Sequence, residues 1–227
     1  MFDVQRDTRD LEELLLQRLP ECQPTTIRSL VATARVRDVR GGEHIYRQGE
    51  PVSLTLILRG HIAFRRMTAE GQTVMTGVGS AGALFGFSSA APVQSSVEGM
   101  ALTASLVAQW PGSEIRSLAR TDAALGLAGI DALAFALHAV IEQVEGYLHQ
   151  DARRRVLRIL ARHRSLFFCD PAILNRAHLP GLVGTSREMT GRVLRELERE
   201  GTIQRIGRNG LRLIRPDRLA ALPAEGV

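Results

Sequence analysis

Residues 179–214 read LPGLVGTSREMTGRVLRELEREGTIQRIGRNGLRLI, and this stretch decides the fold. Leu179, Leu182 and Val183 supply the inner face of a first helix, and Gly184 stands where a three- or four-residue turn needs a permissive backbone. Pro180-Gly181 interrupts that helix, and an interior proline costs about 3 kcal/mol, so the helix begins late or is distorted. Thr185 as N-cap with Glu188 three residues on fits a capping box, and the second helix runs to about Arg199, where Gly201 stops it. At about 100° per residue from Arg187, Met189, Val193, Leu197 and Leu194 fall between about 200° and 340°. Gly191, Arg195, Glu188, Arg199 and Arg192 fall between about 40° and 140°, so one face is core and the other is charged. A hairpin follows, with strands at 202–206 and 211–214 and Gly207-Arg208-Asn209-Gly210 as its turn, Asn-Gly being the strong signal.

Helix, turn, helix and hairpin together make a winged helix-turn-helix, whose second helix enters the DNA major groove. There arginine offers guanine a two-pronged donor and glutamate accepts from cytosine. Immediately upstream, 151–164 reads as a basic amphipathic helix around Val156, Ile159 and Leu160. Before it a long helix is expected over about 122–150. Ile130, Leu133, Leu137, Val140, Val144 and Tyr147 make a heptad seam, and Leu127, Ala134, Ile141 and Leu148 make a second apolar row. A helix apolar on two faces must be covered twice, either by its own β domain and a partner copy or wholly within one monomer. Asp131, His138, Glu142 and Gln143 interrupt its most apolar part and argue against a membrane span.

Further upstream the period changes. Over 36–109 short β-branched runs are cut by Gly41-Gly42, Gly49-Glu50-Pro51, Gly60, Gly71, Gly77, Gly79 and Gly82, which is the mark of a β barrel, roll or sandwich closed by Pro111-Gly112. Residues 11–35 look helical, with Leu11, Leu14, Leu15 and Leu19 at helical spacing and a second short segment around 27–34.

The 227 residues carry a net charge of +5, and its distribution is uneven. Residues 1–150 hold 13 Arg against 16 acidic residues, whereas 151–227 hold 16 Arg against 8, and there is no lysine. An acidic first part joined to a basic second part suggests a sensing unit attached to a polyanion-binding one. Cys22 and Cys169 are too few for a disulfide framework or a four-cysteine metal site and are expected to be reduced thiols. Residues 1–9 carry both charge signs and no apolar run, so no signal peptide is expected and a cytoplasmic location follows. With no Gly-rich phosphate loop, H-E-x-x-H or G-x-S-x-G, the chain is not expected to be an enzyme.

The order of β-roll, long helix and winged helix-turn-helix resembles the CRP/FNR family of bacterial transcription regulators over nearly the whole chain. Residues 41–51 (GGEHIYRQGEP), 58–61 (LRGH) and 81–86 (AGALFG) are similar to its β-roll turns, and 184–192 (GTSREMTGR) is similar to its recognition helix. The resemblance implies an α+β fold: a β-roll effector domain over 1–120, a dimerisation helix over 121–150, and a winged helix-turn-helix over 151–227. It implies a homodimer on double-stranded DNA, with RNA polymerase as a further partner and no membrane. Arg187, Glu188 and Arg192 match the base-reading residues. Ser186 matches a phosphate contact, joined on the DNA backbone by Arg176, Thr185, Arg195 and Arg208. Asp151 matches the acidic hinge residue. Capping by Glu188 would compete with its base reading.

The chain departs from the pattern in the roll. Phe87 follows Gly86 where cyclic-nucleotide-binding members carry a ribose-binding glutamate, and Ser95-Ser96 replaces the phosphate-gripping arginine and its neighbour. A buried phosphate without a cationic partner is poorly compensated, so cyclic AMP is not expected to bind in the usual mode. The cysteine cluster of the iron–sulfur members is absent, and no metal or cofactor is expected. Phe85, Gly86, Phe87, Ser95, Ser96, Val140 and Ile141 would line any effector pocket, which the aromatic side chains either shape for an apolar ligand or fill. His44 and His61 are the conceivable haem ligands, although a lone histidine beside a turn is more often structural. The other reading is an effector-binding regulatory protein, sensing haem or a small apolar ligand without specific DNA readout.

Overall fold

The computed structural model describes residues 4–69 and 71–220. Two helices, α1 (Val4–Arg18) and α2 (Pro24–Thr33), lead into strands β1 (Arg35–Val39), β2 (His44–Tyr46), β3 (Leu54–Arg59), β4 (His61–Met67), β5 (Thr73–Ser80), β6 (Leu84–Phe85), β7 (Glu98–Ala101) and β8 (Ser105–Trp110). The strands form two four-stranded sheets, ordered β1-β8-β3-β6 and β2-β7-β4-β5, with every resolved pairing antiparallel. The run from Leu54 to Leu58 does not alternate because both faces of β3 are covered. Leu54, Leu56 and Leu58 pack with Leu11, Leu15 and Leu30 of the helices, while Ile57 turns into the roll against Val39, Ile62 and Val107. Trp110 is fully buried and donates its indole N–H to the Leu30 carbonyl at 2.8 Å.

Helix α3 (Gly112–Thr121) follows directly, in a stretch that shows too little periodicity to read as helix, since Ile115 is its one fully buried residue. Asp122 then ends α3 and opens α4 (Ala123–His149). Its carboxylate accepts the Ala124 N–H at 3.1 Å and the Gln23 N–H at 2.8 Å. A hydrogen bond with the Thr26 side chain and these backbone N–H groups hold its carboxyl below the usual range. Asp122→Ala is therefore expected to lower stability by about 1–2 kcal/mol at neutral pH in denaturant titrations. A depressed carboxyl stabilises fully above its unfolded value of about 4, and this contribution is lost as pH falls through the lower folded value. The gap between Asp122→Ala and the parent chain should close over that acid window; a gap independent of pH would remove the cap from the account.

Two compact units divide the chain: 1–66 with 77–140, and 67–76 with 141–227. The division falls inside α4, because the two halves of the helix have different neighbours. Leu125, Ala124, Ala128 and Ala132 pack into the helix-lined core of the first unit. In the second unit α5 (Ala152–Arg162) and the helix-turn-helix take up the last turn. The covered face of α4 is thus not the expected Leu127 row. Leu127 and Ile141 are each 55% exposed and Leu148 73%, and the heptad seam is equally open, with Leu137 at 62%. Phe135, at 71%, adds an exposed aromatic ring that the heptad reading does not include.

The second unit continues with α6 (Arg164–Phe167), α7 (Leu179–Val183), α8 (Arg187–Arg199), β9 (Ile203–Ile206), β10 (Gly210–Leu213) and α9 (Asp217–Ala220). Its buried apolar residues include Val156, Leu160, Phe167, Leu182, Val193 and Leu197. Cys22 is a buried free thiol, pushed up to about 11 by burial, and Cys169 is a half-buried one.

Candidate nucleic-acid interface

Pro180 falls in the first turn of the five-residue helix α7, where its missing N–H costs nothing, which resolves the conflict that Pro180-Gly181 posed. Gly184 ends α7 in the left-handed region at φ 65°, and both its N–H and that of Thr185 donate to the Pro180 carbonyl. Thr185 therefore belongs to the closure of α7 and is not the N-cap of the next helix. The cap is Ser186, in extended conformation, whose hydroxyl accepts the Met189 N–H at 3.1 Å. This one-residue shift puts Glu188 at the second helical position, short of what a capping box requires, so the competition between capping and base reading does not arise.

Recognition helix α8 turns Thr190, Val193, Leu194 and Leu197 inward. Met189, expected in the core, stands at the 200° edge of the apolar arc and is 38% exposed, whereas Thr190, at about 300°, is buried with its hydroxyl satisfied by the Ser186 carbonyl at 2.9 Å. Arg187, Glu188, Arg192, Arg195 and Arg199 are exposed on the opposite side. Arg192 lies 3.4 Å from Glu196 in an i,i+4 pair that solvent screens. All three candidate base readers stand in the first two turns, the part of a recognition helix that reaches base edges.

The wing is held from two sides. Its loop has three residues, 207–209, since Gly210 already pairs with Ile206; Gly207 at φ 51° makes the left-handed step, and Asn209-Gly210 is not the turn centre. Arg176, expected on the DNA backbone, spans this loop: its backbone N–H donates to the Asn209 carbonyl at 2.9 Å and its guanidinium to the carbonyls of Gly207, at 3.0 Å, and Arg208. Glu198 on α8 accepts the Arg205 backbone N–H at 2.9 Å and its Nε at 2.7 Å, and those bonds hold its carboxyl below the usual range. Recognition helix and wing are thereby tied together by the Glu198–Arg205 bonds, with Arg208 exposed at the tip. Asp151 caps α5 by accepting the Arg154 N–H at 2.7 Å, which accounts for an acidic residue between α4 and α5.

In the first unit the residues proposed for an effector pocket are largely engaged. Phe85 stacks edge-on to Phe64 with centroids 4.8 Å apart, and Tyr46 lies 6.4 Å from it. The Tyr46 ring lies against the backbone at Gly99, and burial pushes its phenol up to about 12. Phe87 is buried, entering a short 3-10 turn after Gly86, whose φ of 93° and contact with the Ser53 carbonyl exclude any side chain there. Ser95 donates to the Val97 carbonyl at 2.5 Å and also bonds the Tyr46 phenol, while Ser96 is exposed. Val140 and Ile141, the helix members of that set, are each more than half exposed on α4. His44 Nε2 lies 3.2 Å from Glu98, which Arg65 also engages, and His61 Nδ1 lies 3.5 Å from the Thr103 hydroxyl.

A winged helix-turn-helix joined by a long helix to a β-roll defines a transcription regulator. Residues 36–122 match the family model of the cyclic nucleotide-binding domain, and residues 154–222 match that of the Crp-like helix-turn-helix domain. The chain belongs to the CRP/FNR family of bacterial transcription regulators. Its fold is similar to that of FixK2 from Bradyrhizobium japonicum, with a TM-score of 0.71 at 20% identity over 86% of this chain and 100% of that one. The c-di-GMP-responsive global regulator CLP of Xanthomonas campestris gives 0.70 at 21%, over 85% and 100%. CooA from Carboxydothermus hydrogenoformans gives 0.65 at 16%, over 85% and 88%. No curated protein sequence matches the chain.

Proposed function

We propose that the chain is a homodimeric, sequence-specific transcription regulator reading an inverted repeat with a TGTGA-like half-site. The observation that carries this reading is the exposed face of α8, where Arg187, Glu188 and Arg192 stand beside a capped helix start with a basic wing tied to it. Two guanine-seeking forks and one cytosine-seeking carboxylate suit a G·C-bearing half-site. Ser186, Thr185, Arg195 and Arg208 flank them as phosphate contacts, and RNA polymerase is the further partner such a regulator acts on in the cytoplasm. Selection of binding sites from random DNA tests the reading, and a consensus lacking a TGTGA-like core would overturn the base assignment.

Dimerisation follows from α4. By length and composition this helix is apolar enough to cross a membrane, with a mean hydropathy of 1.9. Asp131, His138, Glu142, Glu145 and His149, however, fall within about 60° of one another around it, a polar stripe running most of its length. Charged groups at bilayer depth are expensive, whereas a dimer seam leaves such a stripe in water. The heptad row from Ile130 to Tyr147 is best covered by a second copy of itself.

Against cyclic AMP in the usual mode stand the absence of an arginine at Ser95-Ser96 and the packing of Phe85 against Phe64 and Tyr46. Calorimetry is expected to register no cyclic AMP binding at micromolar concentrations. Binding there that also raises DNA affinity would refute the point.

A further inference from the structure

The last turn of α4 is strapped to the helix-turn-helix by contacts that DNA reading alone does not require. The Tyr147 ring fills the space beside Gly184: a Cβ on that glycine would lie 2.5 Å from Cε1 and 2.7 Å from Cζ of the ring. The left-handed φ of Gly184 and this contact both demand glycine. The guanidinium of Arg155 covers the same ring at 5.6 Å from its centroid and donates to the Gln150 carbonyl at 2.9 Å. Gln143 donates to the Tyr147 hydroxyl at 2.7 Å, fixing the ring along its own helix. One turn of chain away, the Arg158 guanidinium lies where a Cβ on Gly146 would have to be.

Resting on the dimeric DNA-reading assignment above, we propose that Tyr147 is a positioning residue that sets the distance between the two half-sites. Tyr147 is the last member of the seam that would meet the partner copy, and Gly184 is two residues before the Ser186 cap of the recognition helix. The ring therefore links the dimer axis to the start of α8 through one van der Waals contact. Adding one base pair between half-sites moves a half-site by about 3.4 Å and turns it by about 35°, so a rigid link selects one spacing and a loose one tolerates several. Tyr147 does not read bases in this scheme; it decides where the reading residues arrive.

The test measures affinity of the full-length dimer for inverted repeats at the preferred spacing and at one base pair more or less. Tyr147→Ala should cut the discrimination between spacings by roughly fivefold to tenfold, with base preference inside each half-site unchanged. Tyr147→Phe keeps the ring on Gly184 and should keep the discrimination. Because Tyr147 also lies in the seam, Gly184→Ala approaches the contact from outside it and should reproduce the loss while sedimentation still reports a dimer. Equal loss of affinity at all spacings, or unchanged discrimination in both variants, would overturn the proposal. Parent protein that selects half-sites at scattered spacings would overturn it too, leaving DNA reading intact. Only the absence of any enriched half-site would overturn the DNA-reading assignment itself, and this inference with it.

Discussion

Leu137→Glu is expected to convert the protein to monomers and to abolish tight DNA binding at concentrations where the parent chain binds. Leu137 is 62% exposed in the single protomer, so the substitution costs little in the fold of one chain. In the dimer it removes a buried leucine from each copy, about 1.5–3 kcal/mol apiece, and sets two like charges near the axis. The sum of about 3–6 kcal/mol corresponds to a dimer dissociation constant raised by roughly two to four powers of ten. Sedimentation velocity should show the monomer, with the far-ultraviolet circular dichroism of a folded chain retained and the thermal midpoint lowered by the lost association. Unchanged sedimentation together with unchanged DNA binding would take α4 out of the interface.

Arg187→Ala should cost about 1–3 kcal/mol at the preferred site and relax base preference at one position per half-site. Arg208→Ala, at the wing tip, is expected to behave differently. It should weaken all sequences alike and flatten the salt dependence by about one ion per subunit. Glu188→Gln should shift base preference without destabilising the helix, because Ser186 carries the cap. A selected consensus that Arg187→Ala leaves untouched would leave only a nonspecific basic surface.

The elements with strong periodicity or unambiguous punctuation were legible in the sequence. The helix-turn-helix, the wing strands and α4 lie within a residue or two of where the apolar spacing puts them. What escaped depends on competition between neighbours that periodicity does not encode. Thr185 and Ser186 are both good caps, and the choice between them was made by the need to close α7 at Pro180. Met189 stands at the 200° edge of the apolar arc and Thr190, at about 300°, near its centre, so a reading that follows hydrophobicity alone counts the methionine as core and passes over the threonine. The contacts of Arg176 with three wing carbonyls relate residues some 30 apart in the chain, a pairing that no local pattern announces. The short helix α3 buries too little to leave a pattern.

The hydroxyl of Ser186 has a consequence for how this protein can diverge. Because the helix start is secured by a residue that precedes the base readers, positions 187, 188 and 192 add only small terms to folding: Glu188 as the acidic residue of the first turn and Arg192 in its solvent-screened pair with Glu196. Their side chains are open to exchange at a cost of no more than about 1 kcal/mol each, the scale of a first-turn charge or an exposed ion pair. A duplicated copy could therefore acquire a new operator preference by one or two substitutions without first gaining a stabilising mutation elsewhere. Had the cap been a box closed by Glu188, each such step would have loosened the helix that presents it. Separating the structural anchor from the reading surface by a single position makes target choice an evolvable trait, and gives an engineer three positions to vary in a library whose members should nearly all fold.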